Sequence, residues 1–134
     1  MPPRRRTTPA AGSAALAAWR ADPDGVDRAT RGTAVRYTLD ELGARAPGRS
    51  VEVRVPPFGA VQCVEGPRHT RGTPPNVVEA DADTWLRLAA GDLTWDAALA
   101  GGRLRVSGTR AHLEALLPLV RPTTFGASAS GMSR

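Results

Sequence analysis

The sequence predicts an α+β domain, a sheet of four to five strands with helices packed on one face. Three observations carry that expectation. Val51, Val53 and Val55 alternate with Glu52 and Arg54, the two-residue period of a strand with one dry and one wet face. Val35, Leu39, Leu42 and Ala46 recur at intervals of three and four, the apolar stripe of an amphipathic helix. The stretch 84–120, TWLRLAAGDLTWDAALAGGRLRVSGTRAHLEALLPLV, orders its tryptophans, glycines and leucines as helix, helix, strand, helix.

Taken in order, Met1–Gly12 is Pro, Arg, Thr and Ala, too poor in apolar surface to offset chain entropy, and reads as a disordered basic arm. The domain is expected over residues 13–120, beginning with a short helix from Ser13 to Arg20 that carries Leu16 and Trp19 on one side. Asp22–Gly25, with Pro23 inside it, makes a turn. A longer helix lies within Asp27–Ala46, with Arg36 and Asp40, and Glu41 and Arg45, spaced four apart as exposed ion pairs. Pro47 and Gly48 end it. The strand Val51–Val55, the turn Pro56–Gly59 and a returning strand Ala60–Glu65 form a hairpin.

After a loop rich in Arg, Thr, Gly and Pro comes a third strand, Asn76–Ala80, and Asp81 or Asp83 caps the helix that carries Trp85. Gly91 stands where that helix stops in a left-handed residue. Thr94 caps a second short helix with Asp96 in its first turn, and Gly101 or Gly102 closes it. Arg103–Ser107 alternates charged and apolar, which predicts a half-buried strand with Leu104 and Val106 on one face. Thr109 opens a last helix, to Val120, with Leu113, Leu116, Leu117 and Val120 as its stripe. Residues 121–134 read as a flexible tail.

Charge bears on the choice of partner. The formal net charge is +5, but Arg4, Arg5, Arg6, Arg121 and Arg134 lie in the two tails, so the body balances 13 arginines against 13 acidic residues. A neutral body with no basic stripe argues against a specific nucleic-acid partner. Every basic residue is Arg, which removes lysine from any mechanism. The single cysteine, Cys63, has no internal disulfide partner, and no stretch has the apolar core of a signal peptide or a membrane span. The expectation is a cytoplasmic protein without stable membrane insertion.

The succession Trp85, Gly91, Thr94, Trp95, Ala98, Gly102, Leu104, Val106, Gly108, followed by an expected leucine-rich helix, resembles the C-terminal half of the sterol carrier protein type 2 domain. With the elements upstream the resemblance covers about 34–120, and it is most similar to the small stand-alone bacterial members found in actinobacteria. The resemblance implies that this module packs on a mostly antiparallel sheet and helps to enclose an apolar tunnel for lipids or other hydrophobic molecules.

Three sites compete on the sequence. The first is an apolar pocket between the valine face of the sheet and the helical stripes, lined by Val53, Val61, Cys63, Trp85, Leu88, Trp95, Leu99, Leu116 and Val120. Its rival is a plain filled core, the usual fate of such stripes. The second is the loop Gly66–Asn76, where Arg68, His69, Arg71 and Asn76, with Arg54 on a nearby strand, are candidate contacts for the anionic or polar head of a ligand. The rival reading is an ordinary solvated connection held stiff by prolines at 67, 74 and 75, the usual fate of a polar loop. The third is an enzyme using Cys63 with His69 or His112, though no group to orient a base is evident.

No paired ligand spacing points to a metal, and no glycine-rich phosphate loop with a lysine points to a nucleotide cofactor. The function that the resemblance implies is non-enzymatic binding of a hydrophobic or amphipathic small molecule. The alternatives are an interaction module with a filled core, monomeric or homodimeric, that acts through the Arg68–Asn76 loop, and a cysteine-dependent enzyme.

Overall fold

The computed structural model describes residues 5–66, 76–108, 111 and 113–120. Its elements run α1 (Pro9–Ala21), α2 (Arg28–Arg45), β1 (Val51–Val55), β2 (Gly59–Cys63), β3 (Asn76–Glu79), α3 (Ala82–Ala90), α4 (Trp95–Ala100), β4 (Arg105–Ser107) and a 3-10 turn at Glu114–Leu116. The fold is α+β around a four-stranded sheet of order β2-β1-β3-β4. The sheet is mixed. β1 pairs antiparallel with β2 and β3 with β4, but β1 and β3 run parallel at its centre. The hairpin explains this: β2 ends at Cys63, opposite Val51 at the start of β1, so the chain re-enters beside the same end with Asn76 level with Val51.

The register sorts the two faces as the alternation requires. Glu52, Arg54, Ala60, Gln62, Val77, Glu79, Arg105 and Ser107 share the wet face. Val51, Val53, Val55, Cys63 and Val78 lie on the other, each at most 1 % exposed. α2 covers β2 and packs between α1 and α3. Its stripe of Val35, Leu39 and Leu42 is fully buried, while Ala46 sits just past its end and is half-buried.

One polar link fixes α3 to α2. Trp85 Nε1–H donates to Thr38 Oγ1 at 2.8 Å, and the Thr38 hydroxyl donates back along its helix to the Ala34 and Val35 carbonyls at 2.9 Å each. A buried indole must be satisfied somewhere, and this one uses a threonine that sequence patterning left unassigned.

The capping predictions hold at α3 and α4. The Asp81 carboxylate accepts from the Thr84 N–H, Thr94 from the Ala97 N–H, and Gly91 ends α3 with φ +87.

At the N-terminus the structure differs from expectation. α1 begins at Pro9 rather than Ser13, because Thr8 Oγ1 accepts from the Ala11 N–H and proline suits the first helical position. Upstream, the Arg6 backbone N–H donates to Asp40 at 2.8 Å and its guanidinium reaches the same carboxylate at 3.3 Å, while Arg5 pairs with Glu41 at 2.6 Å. Arg5–Gly12, read as disordered arm, thus packs on α2, and Asp40 pairs with Arg6 instead of Arg36. Residues 1–4 and the tail 121–134 lie outside the described residues.

The last helix is the clearest correction. The segment 113–120 holds only the 3-10 turn, because Pro118 bars the α conformation at Leu117, which is extended at φ −107 and ψ 145. The apolar residues regroup accordingly. Ala111, Leu113 and Leu119 are buried, whereas Leu116, Leu117 and Val120 are only partly so.

Candidate functional site

The end of α3 organises the site. A helix leaves its last four carbonyls short of intrahelical donors, and each one here finds a donor. The Arg87 carbonyl accepts from the Asp92 and Leu93 N–H groups at 2.8 and 3.2 Å, and that of Leu88 from Gly91 at 3.3 Å. The Ala89 carbonyl accepts from Leu119 and Val120 at 2.9 and 3.2 Å, which straps the C-terminal segment across the helix end. The Ala90 carbonyl accepts from the Arg20 guanidinium at 3.3 Å, a cation placed where the helix dipole favours one. The chain after Gly91 must therefore leave sideways into α4, while the segment around Pro118 lies alongside it.

Between these two runs is a cleft of about 240 Å³ lined by Leu88, Gly91, Leu93, Thr94, Trp95, Asp96, Glu114, Leu117 and Pro118. Its walls are largely apolar, with Asp96 and Glu114 as the charged members. A larger depression, about 430 Å³, lies on the charged side of the sheet among Pro56, Glu79, Asp81, Arg103 and Arg105. Its polar walls suit it less to an apolar molecule.

The residues expected to line the pocket do not stay together. Val53, Cys63 and Trp85 are buried in the packed core, Val61 is half-buried on β2, and Leu88 and Trp95 do line the cleft. Leu99, expected inside, is 39 % exposed, because it falls on the solvent side of α4 while Trp95 and Ala98 take the buried side. Leu116 and Val120 pack at the edge of the core rather than on the cleft. The valine face, where the pocket was expected, is covered: Val51, Val53 and Val55 have no exposed surface.

The anion-binding expectation fares differently at each residue. Arg68, His69 and Arg71 lie outside the described residues. Arg54 sits on the wet face, paired with Glu52 at 2.7 Å. Asn76 is buried, and its Nδ2 donates to the Ser50 carbonyl at 2.8 Å, tying the start of β3 to the chain before β1. Cys63 faces the core, and desolvation pushes its thiol up to about 12, the reverse of what a nucleophile needs. His112 also lies outside the described residues.

Sequence reasoning missed Leu93, Thr94, Asp96, Glu114, Leu117 and Pro118 as cleft residues. The signal was present in Pro118, which forbids the helix that would have filled this space.

The profile of a family described as bacterial SCP ortholog, SCP standing for sterol carrier protein, matches residues 27–119. The chain belongs to that family. The match begins at the cap of α2 and ends beside Pro118, so it takes in the whole sheet, α3, α4 and the cleft. No curated protein matches the chain. Membership suggests a carrier-type binding role. Among the described residues, no helix of this sterol carrier relative is long and apolar enough to cross a membrane.

Proposed function

We propose that the protein is a non-enzymatic cytoplasmic carrier that binds a small hydrophobic or amphipathic molecule in the cleft beside the end of α3. The observation that carries the proposal is the cleft itself, an apolar concavity of about 240 Å³ in a member of a carrier family. It sits where the α3 carbonyls hold two chain segments apart. Its size bears on the ligand. At about 30 Å³ per water in the liquid, the cleft has room for about eight waters, or a chain of similar heavy-atom count. A whole sterol exceeds that volume, so the part of a ligand that the cleft itself holds is a short chain or the end of a longer one.

Against an enzyme stand the buried, hard-to-ionise Cys63 and a cleft whose described polar members are Thr94, Asp96 and Glu114, with no nucleophile and base paired among them. The rival, an interaction module with a filled core, draws on the closed valine face of the sheet.

Native mass spectrometry of the purified chain, then solvent extraction and calorimetric titration of the stripped protein with octanol, separates the two readings. The carrier reading expects saturable binding near one to one, abolished by Leu117→Trp, which fills the cleft from a half-buried position. If octanol produces no saturable heat and no molecule is extracted, the cleft is not a binding site and the interaction module takes precedence.

A further inference from the structure

Among the described residues, the buried side-chain atoms Trp19 Nε1, Thr84 Oγ1 and Trp95 Nε1 find no hydrogen-bond partner. Of these residues, Trp95 alone lines the cleft, and it is only 4 % exposed. Trp85 shows the usual arrangement, since its buried N–H reaches the Thr38 hydroxyl at 2.8 Å. An indole N–H buried without an acceptor forfeits the hydrogen bond that it makes to water in the unfolded chain. Nothing local supplies one to Trp95. It is the first residue of α4, and the neighbouring Thr94 hydroxyl accepts instead from the Ala97 N–H at 3.1 Å.

The cleft therefore contains an apolar lining and one unmet donor, and no described lining residue is basic. Two arginines near the end of α3 are engaged elsewhere, Arg20 with the Ala90 carbonyl and Asp92, and Arg87 with Asp83 at 2.7 Å.

Resting on the binding reading above, we infer that the cleft selects an amphiphile whose polar group is an uncharged oxygen acceptor, such as a ketone or ester carbonyl, recognised by the Trp95 indole N–H. The apolar part of the ligand lies against Leu88, Leu117 and Pro118. A hydrocarbon leaves the donor unmet, and an ammonium brings only further donors. A carboxylate accepts, but it would enter an apolar cleft with no described cation to pair it, and desolvating an unpaired charge costs far more than desolvating a neutral oxygen. Nε1 has essentially no surface open to water as the cleft stands, so the oxygen reaches it as the wall yields around the entering chain.

The test is titration of the full chain at pH 7 with methyl hexyl ketone, octanol and octanoate, followed by calorimetry and by the NMR signals of the indole N–H groups of Trp19, Trp85 and Trp95. Trp→Phe substitutions assign those signals. The ketone should bind saturably and move the Trp95 proton downfield along the same isotherm as the heat, with Trp19 and Trp85 nearly still. Octanol, whose oxygen also accepts, should act likewise, and octanoate should bind at least about tenfold weaker than the ketone. Trp95→Phe keeps a ring in the wall but removes the N–H, and should lower ketone affinity roughly five- to tenfold, the worth of one buried hydrogen bond.

Saturable ketone binding that leaves the Trp95 proton where it was overturns the assignment while leaving the protein a binder. Tightest binding of octanoate, or full ketone affinity in folded Trp95→Phe, does the same. The wild-type spectra and affinities decide the matter even if that variant does not fold. If neither the ketone nor octanol binds the wild-type chain, the carrier reading itself falls and this inference falls with it.

Discussion

Cys63 offers the sharpest quantitative test of the non-enzymatic reading. Burial lifts its thiol from 9.0 to about 12, a rise of three pH units. At pH 8 the thiolate population is then about a thousandfold below that of an ordinary cysteine. A more basic thiolate is also more nucleophilic, and a Brønsted slope of about 0.4–0.5 returns roughly 15- to 30-fold over three units. The net chemical slowing is roughly 30- to 60-fold on those figures. Exposure compounds it, because the side chain has no accessible surface and a reagent must wait for local opening.

Titration with an aromatic disulfide reagent, native against denatured, reads this directly. The expected result is labelling slower than the denatured rate by well over the chemical factor. Labelling at the denatured rate, or ligand binding lost on alkylation of folded protein, refutes the argument.

The same burial fixes a pH dependence. The folded-state thiol titrates above the unfolded one, so between about pH 9 and 12 the unfolded chain has lost a proton that the folded chain keeps. Its contribution to stability is complete below pH 9 and declines by about 1.4 kcal/mol per pH unit above it. Cys63→Ala should flatten that part of the alkaline stability profile.

Two further outcomes bear on the core and on the site. Thr38→Val keeps the shape of the side chain but strands the Trp85 N–H, which should cost about 1–3 kcal/mol in urea unfolding. In a Trp85→Phe background the same change should cost under about 1 kcal/mol, and equal costs in both backgrounds would show that the hydrogen bond is not what couples α2 to α3. Leu99→Ala should shift stability by no more than about 0.5 kcal/mol, whereas Leu113→Ala, at a fully buried position, should cost about 2–5 kcal/mol. The reverse ranking would restore Leu99 to the interior.

Much of the fold was legible because its signals are local. The alternation of Val51–Val55, the caps at Asp81 and Thr94 and the stop at Gly91 each express a single backbone requirement, and each appears where the residues put it. What eluded local reading depends on partners distant in sequence. Arg5 and Arg6 look like solvated tail until Asp40 and Glu41, more than 30 residues on, supply carboxylates for them. The parallel pairing of β1 with β3 likewise follows from where the hairpin delivers the chain, not from any pattern within β3.

The cleft was illegible for a more specific reason, and Pro118 shows it. Leu113, Leu116, Leu117 and Val120 satisfy a helical period, and apolar period is the strongest sequence signal for a helix. A proline one residue after Leu117 overrules it, since it excludes the helical conformation before it and supplies no N–H. The leucines then fall on different sides of an extended segment instead of one stripe. Leu119 goes inward with its N–H on the Ala89 carbonyl, and Leu117 and Pro118 are left to face Trp95 and Leu88 across open space. A regular helix through this segment would have donated its N–H groups to itself and left the Ala89 carbonyl without this strap. The same residue that breaks the helix thereby opens the cleft and anchors its far wall, so a binding function in this chain depends on a departure from periodicity rather than on the stripe itself.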